Sequence, residues 1–82
     1  MSWCVYIVRC DDGSLYTGIT NDLTRRCEQH NAGTASRYTR SRLPVVLVYQ
    51  EEQPTQSMAL KREVEIKALS HQEKESLIRA AG

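Results

Sequence analysis

The chain has no long apolar run, no cysteine framework and almost no net charge. No stretch approaches the roughly 20 apolar residues that a membrane helix needs, so no membrane partner is expected. The opening Met-Ser-Trp-Cys lacks the basic segment and apolar core of a secretory signal, and a soluble, cytoplasmic protein is the expectation. Cys4, Cys10 and Cys27 are an odd set with no C-x-x-C spacing, which argues against a disulfide framework. Cys4 and Cys10 read as residues of one strand, about 20 Å apart at ~3.3 Å per residue, too far to share a metal. They read as reduced, small apolar side chains. A net charge of +1 announces no nucleic-acid partner in bulk.

What is present is unevenly distributed. "TASRYTRSRLPV", from Thr34 to Val45, holds Arg37, Arg40 and Arg42, with Tyr38 among them and no acid. Most glutamates lie in the C-terminal half. A local basic patch and a plain solvated loop both fit this pattern. With 82 residues, the chain is read as one domain, 1–82, burying roughly 60 % of its unfolded surface.

"WCVYIVRC" is β-branched and aromatic, and apolar on both alternating sets, as in a central strand covered on both faces. "DDGS" signals a turn and "SLYTGI" a second strand. Asn21 is placed to cap a helix reaching about Asn31, with Asp22 in its first turn and Gly33 just beyond its end. "LPVVLVYQE" reads as a third strand, with Pro44 at its start, and Thr55 as the cap of a helix to about Leu69. Ser70 and Glu73 form a capping box for a last helix to about Ala80. The fold class is α+β: a small three-stranded antiparallel sheet flanked by helices, in the order β-β-α, a short basic helix, then β-α-α.

Two helices carry polar groups against their apolar sides. In the first, Leu23 and Cys27 mark the buried stripe. Arg26 and His30 fall beside it, while Arg25 and Gln29 fall on the back. Arg26 snorkelling over the core edge and His30 capping a carbonyl is the structural explanation. In the helix after Thr55, Ala59, Leu60, Val64 and Ile66 define an apolar face. Glu63 projects into that arc and Glu65 away from it. A carboxylate facing a core needs an ion pair, hydrogen bonds or a metal, because desolvating it alone costs several kcal/mol.

The strand register leaves two alternatives. A two-residue turn at Asp12-Gly13 pairs Arg9 with Tyr16 and leaves Tyr6 on the opposite face. A three-residue loop, Asp11-Asp12-Gly13, pairs Tyr6 with Gly18 and Val8 with Tyr16. Both phenols then share a face beside a glycine that leaves space for something to approach. Gly13 supplies the left-handed residue of such a loop.

Together and in this order, these features resemble the GIY-YIG nuclease superfamily. The first motif stands as "CVY", ending in Tyr6, and the second as "YTG", Tyr16 to Gly18. Arg26 and His30 in "DLTRRCEQH" match the family's arginine and histidine, and Glu63 in "ALKREVEIK" matches its metal-binding glutamate. The "YTGIT-DL-RR---HN" and "YTRSR-P--LVY" segments are closest to small stand-alone bacterial proteins of the YhbQ type. Cys4 and Val5 replace the motif's Gly and Ile, and Ile19 stands where some repair nucleases carry a lysine.

The resemblance implies an endonuclease that hydrolyses DNA with Mg²⁺ or Mn²⁺, acting on branched, flapped or single-stranded DNA in repair or recombination. It casts Glu63 as metal ligand, Arg26 as the neutraliser of phosphate charge, and Tyr6 (or else Tyr16) as the group taking the proton of the attacking water. His30 assists proton transfer or positions Tyr6. Arg37, Arg40 and Arg42 would track the DNA backbone, with Tyr38 as a ring for stacking. The alternative is a nucleic-acid-binding module of the same fold without turnover. A monomer is the default.

Overall fold

The computed structural model describes residues 2–81. Strand β1 (Trp3–Arg9) is followed by β2 (Leu15–Thr20), α1 (Leu23–Asn31), the short α2 (Arg37–Arg40), β3 (Val46–Gln53), α3 (Gln56–Lys67) and α4 (His71–Ala81). The strands form one antiparallel sheet in the order β2-β1-β3. β1 is therefore central, and Val5, Tyr6, Ile7 and Val8 are all fully buried, as the doubly apolar pattern predicts. Each such side chain contributes about 1.5–3 kcal/mol of burial. Cys10 lies just past the end of β1.

Strand alternation divides the core into two layers. Val5, Ile7 and Tyr49 pack with Ala59 and Ile66 of α3 and with Leu77 and Ile78 of α4. On the other face Tyr6, Val8 and Val45 pack with Tyr16 and with Leu23 of α1. Among the described residues no helix is long and apolar enough to cross a membrane.

The hairpin adopts the three-residue loop. Cys10 N–H donates to the Ser14 carbonyl at 2.8 Å, Gly13 N–H to the Cys10 carbonyl at 2.9 Å, and Gly13 takes φ +85°. That left-handed residue is strained for any side chain and free for glycine. Tyr6 consequently pairs with Gly18, and Val8 with Tyr16.

Helix ends follow the capping residues with one shift. α1 is capped by Asp22 instead of Asn21: the Asp22 carboxylate accepts from Arg25 N–H at 3.1 Å, while Thr20 Oγ1 accepts from Asp22 N–H. The carboxylate thus satisfies the orphan amide, and Asn21 stays in the turn. Thr55 Oγ1 accepts from Met58 N–H, and Ser70 and Glu73 bond reciprocally at 2.9 and 3.1 Å, as the capping signals predict. α3 ends at Lys67, short of Leu69, α4 runs to Ala81, and β3 starts two residues after Pro44.

The apolar face expected for α3 is narrower than the sequence suggests. Ala59 and Ile66 are fully buried, but Leu60 and Val64 are 46 % and 67 % exposed. At 100° per residue Leu60 and Val64 lie well around the helix from the Ala59–Ile66 line. A single sheet edge cannot cover so wide an arc. Glu65 points to solvent as expected, and Glu63 lies within the partly covered arc.

Candidate active site

The α1 layer gathers four of the predicted residues around one point. Tyr6 projects from the centre of β1, and its hydroxyl lies 2.8 Å from His30 Nε2. Arg26, one turn before His30 on α1, donates Nε–H to the same hydroxyl at 3.4 Å. Its Nη1 donates to Gln29 at 3.3 Å, so Gln29 is half-buried against Arg26 and not on the solvent back of the helix. Among the described residues Nη2 of Arg26 has no hydrogen-bond partner. Arg25 is exposed, as the wheel predicts.

Gly18 is needed where it stands. An ideal Cβ there would lie 2.6 Å from the Tyr6 hydroxyl oxygen and 2.7 Å from its Cζ. The space that a glycine leaves in β2 is filled by the Tyr6 ring itself. It is not an open seat for a ligand.

His30 does not cap a carbonyl. Fully buried, it bonds Tyr6 through Nε2 and Thr39 Oγ1 through Nδ1 at 2.9 Å. Burial, with the nearby charge of Arg26, lowers its pKa and keeps the ring neutral. Burial also pushes the Tyr6 phenol up, against the lowering effect of Arg26, so Tyr6 is protonated at neutral pH. Tyr16 stands half-buried beside them, its ring edge-on to His30 with centroids 5.3 Å apart.

The basic segment divides in two. Arg37 and Arg40 are exposed, with no ion-pair partner among the described residues. Arg42 is engaged internally: its Nε is 3.0 Å from Asp12 in the hairpin loop, and its guanidinium lies 4.0 Å over the Tyr38 ring. Tyr38 also stacks on Tyr16 with ring centroids 6.1 Å apart. Arg42 and Tyr16 thus engage a ring that is still 40 % exposed. Sequence reasoning missed Thr39, Gln29 and Asp12. Only a nearby acidic residue, as a partner for an arginine, could have pointed to Asp12.

Glu63 is on the opposite layer, in α3. Its carboxylate is only 17 % exposed and pairs with the half-exposed Lys67 at 3.4 Å. On the other flank of α3, Arg62 binds Glu51 of β3 at 2.7 Å. Glu63 lies about 100° around α3 from Arg62 and so faces away from that ion pair. On the other layer Arg26 lines a cleft of about 190 Å³ with Thr20, Asn21 and Asp22, where β2 turns into α1. A wider concavity of about 790 Å³ lies on another flank of α1, against Leu47 and Gln50, and takes in neither Tyr6, Arg26 nor His30.

Glu63 offers one carboxylate to a divalent ion. No group of three or more His, Cys, Asp or Glu side chains converges among the described residues, so an all-protein cage is absent. A single carboxylate released from its lysine fits Mg²⁺ or Mn²⁺ where water and phosphate complete the shell. On the same layer of β2, Thr17 carries a buried hydroxyl oxygen without a partner among the described residues.

Two tyrosines, an arginine and a histidine thus meet on one layer of the sheet, and the Glu63 carboxylate lies on the other. The chain belongs to the GIY-YIG family: the model of the GIY-YIG catalytic domain, a domain of nucleases that generally use divalent metal ions, matches residues 2–76. A UPF0213 protein of Staphylococcus aureus strain Mu50 is 56 % identical over 75 residues, covering 92 % of each chain. The solution structure of the UPF0213 protein BH0048 from Bacillus halodurans superposes with TM-score 0.65 at 43 % identity, over 100 % of this chain and 87 % of that one. The protein EF2693 from E. faecalis gives 0.62 at 38 % identity, over 94 % and 83 %.

Proposed function

We propose that the protein is a metal-dependent endonuclease that hydrolyses phosphodiester bonds in DNA, with branched, flapped or single-stranded DNA of repair or recombination as its substrate class. The observation that carries this reading is the Arg26–Tyr6–His30 chain of hydrogen bonds beside Gly18. Arg26 has a nitrogen to offer a phosphate while Nε still holds Tyr6. A phosphate held by Nη2 brings its phosphorus next to the phenol. The permanently charged guanidinium then neutralises the charge that develops in the transition state.

Tyr6 is a neutral phenol, so it accepts a proton from water only as it passes its own to His30 Nε2. The attacking water loses a proton to the Tyr6 oxygen, the Tyr6 proton moves to His30, and the imidazolium keeps its other hydrogen bond to Thr39. Tyr16 orients the attacking water from its half-exposed place beside His30. Glu63 would hold Mg²⁺ or Mn²⁺, and such an ion supplies Lewis-acid stabilisation of the scissile phosphate and the leaving oxygen. Arg37 and Arg40 provide free guanidinium groups for neighbouring phosphates.

Labelled branched, duplex and single-stranded DNA, incubated with either metal, tests the reading. Cutting should fall at least about 10²-fold in Tyr6→Phe and in Arg26→Ala. Cutting unchanged in both variants would refute the assigned roles. One observation favours a second reading, binding without turnover: the Tyr6 hydroxyl is fully enclosed in the protein alone. A salt-sensitive gel shift with no cutting under any condition would establish that instead.

A further inference from the structure

We infer that Thr39 is a positioning residue that fixes the tautomer of His30, so that Nε2 is left bare to receive the proton of Tyr6. This rests on the reading of Tyr6 and His30 as the proton-accepting pair. Thr39 lies in α2, within the basic segment, and is fully buried against a fully buried histidine. Its Oγ1 is 2.9 Å from His30 Nδ1 and 3.4 Å from the carbonyl oxygen of Ser36.

One end of this chain sets its polarity, and the other accommodates it. At one end is Arg26 Nε–H, which only donates. The Tyr6 oxygen must accept from it, and the Tyr6 hydrogen then has one acceptor within reach, His30 Nε2. At the other end is the Ser36 carbonyl, which only accepts. It takes Arg40 N–H at 3.0 Å and has a second lone pair for the Thr39 hydroxyl. Thr39 Oγ1 is thereby free to accept from His30, and the imidazole proton sits on Nδ1.

The opposite arrangement fails at the buried end. With the proton on Nε2, the imidazole and Arg26 would both donate to the Tyr6 oxygen, leaving the Tyr6 hydrogen without an acceptor in a fully buried site. Thr39 supplies the acceptor that lets Nδ1 keep its proton. A histidine carrying the proton on Nε2 could not take one from Tyr6, which is why the threonine matters to the chemistry as well as to packing.

The test reads the tautomer directly, by two-bond ¹H–¹⁵N correlation of the histidine rings near pH 7.5, with His71→Gln to assign the two histidines. In the wild type His30 should show a protonated Nδ1 and an unprotonated Nε2. Thr39→Val, which keeps the shape and removes the hydroxyl, should lose that pattern. Its cutting rate should fall by at least about tenfold, and by no more than the ~10⁴-fold that a wrong tautomer costs a serine-protease triad. Thr39→Ser should restore both. A wild-type His30 with the proton on Nε2 overturns the inference, and that spectrum decides even if Thr39→Val does not fold. A Thr39→Val protein that keeps the Nδ1–H tautomer and the wild-type rate also overturns it. If the tautomer follows Thr39 in a protein that cuts no DNA, the positioning stands and the nuclease reading falls.

Discussion

Gly18→Ala should be costly out of proportion to its size. The new methyl would sit 2.6 Å from the Tyr6 hydroxyl and 2.7 Å from Cζ, and Tyr6 is fully buried in the central strand. The ring cannot rotate away without leaving His30, so the clash is paid in overpacking, about 1–3 kcal/mol. A displaced hydroxyl leaves Nε2 of buried His30 unpaired, a further loss of about 1–3 kcal/mol. Alanine regains only about 0.5–1 kcal/mol of chain entropy relative to glycine in a strand. The net loss is about 1–5 kcal/mol, from a total stability on the order of 4–12 kcal/mol for a domain of this length. In urea denaturation the midpoint should fall by at least about 0.5 M. Gly13→Ala is the contrast: nothing lies within 4 Å of its Cβ, and the cost is the left-handed φ of +85° alone, about 1–2 kcal/mol. Combining Gly18→Ala with Tyr6→Phe removes the closest clashing atom but not Cζ, so the double variant should lose less than the two singles together. A Gly18→Ala protein within about 0.5 kcal/mol of wild type would refute the close approach of Tyr6 to β2.

Other perturbations separate the remaining parts of the site. Glu63→Ala removes only an ion pair to a half-exposed lysine, so thermal unfolding should show a stability change of no more than about 0.5 kcal/mol. Arg37→Ala and Arg40→Ala should each lower the slope of log affinity against log salt by about 1. Arg42→Ala should lower it by less, since Arg42 is held by Asp12 and Tyr38, and fluorescence titrations with labelled DNA measure all three. Acid should destabilise the fold through His30. Its folded pKa lies below the ordinary value, so its contribution is fully present above about pH 6.5 and is lost as the pH falls through the folded value. Urea midpoints from pH 8 down to 5 should show that decline, and His30→Gln should flatten it.

Much of the fold was legible because its signals are local. The doubly apolar run from Val5 to Val8 marks a central strand, Gly13 marks the turn between β1 and β2, and Thr55 and the Ser70–Glu73 pair mark helix starts. The hairpin register was not decided by the sequence, because Gly13 fits both a two-residue turn and a three-residue loop, and only the folded pairing brings Tyr6 to Gly18. Contacts made across the fold were not legible. Thr39 looks like any threonine in a basic loop until α2 folds onto α1 and puts it against His30. Arg42 looks like its neighbours Arg37 and Arg40, and only the hairpin loop's Asp12 sets it apart. The exposure of Leu60 and Val64 was hidden for a related reason: periodicity gives the direction of a side chain but not the width of sheet beneath it.

The most direct test of the nuclease reading is cutting of a labelled DNA panel with and without Mg²⁺ or Mn²⁺ by wild type and Glu63→Ala. Wild type should cut at least one branched or single-stranded substrate with metal and none with a chelator. Glu63→Ala should bind the same DNA and leave it intact. Metal-dependent cutting that survives Glu63→Ala, or a folded wild type that cuts nothing with either metal, would contradict it.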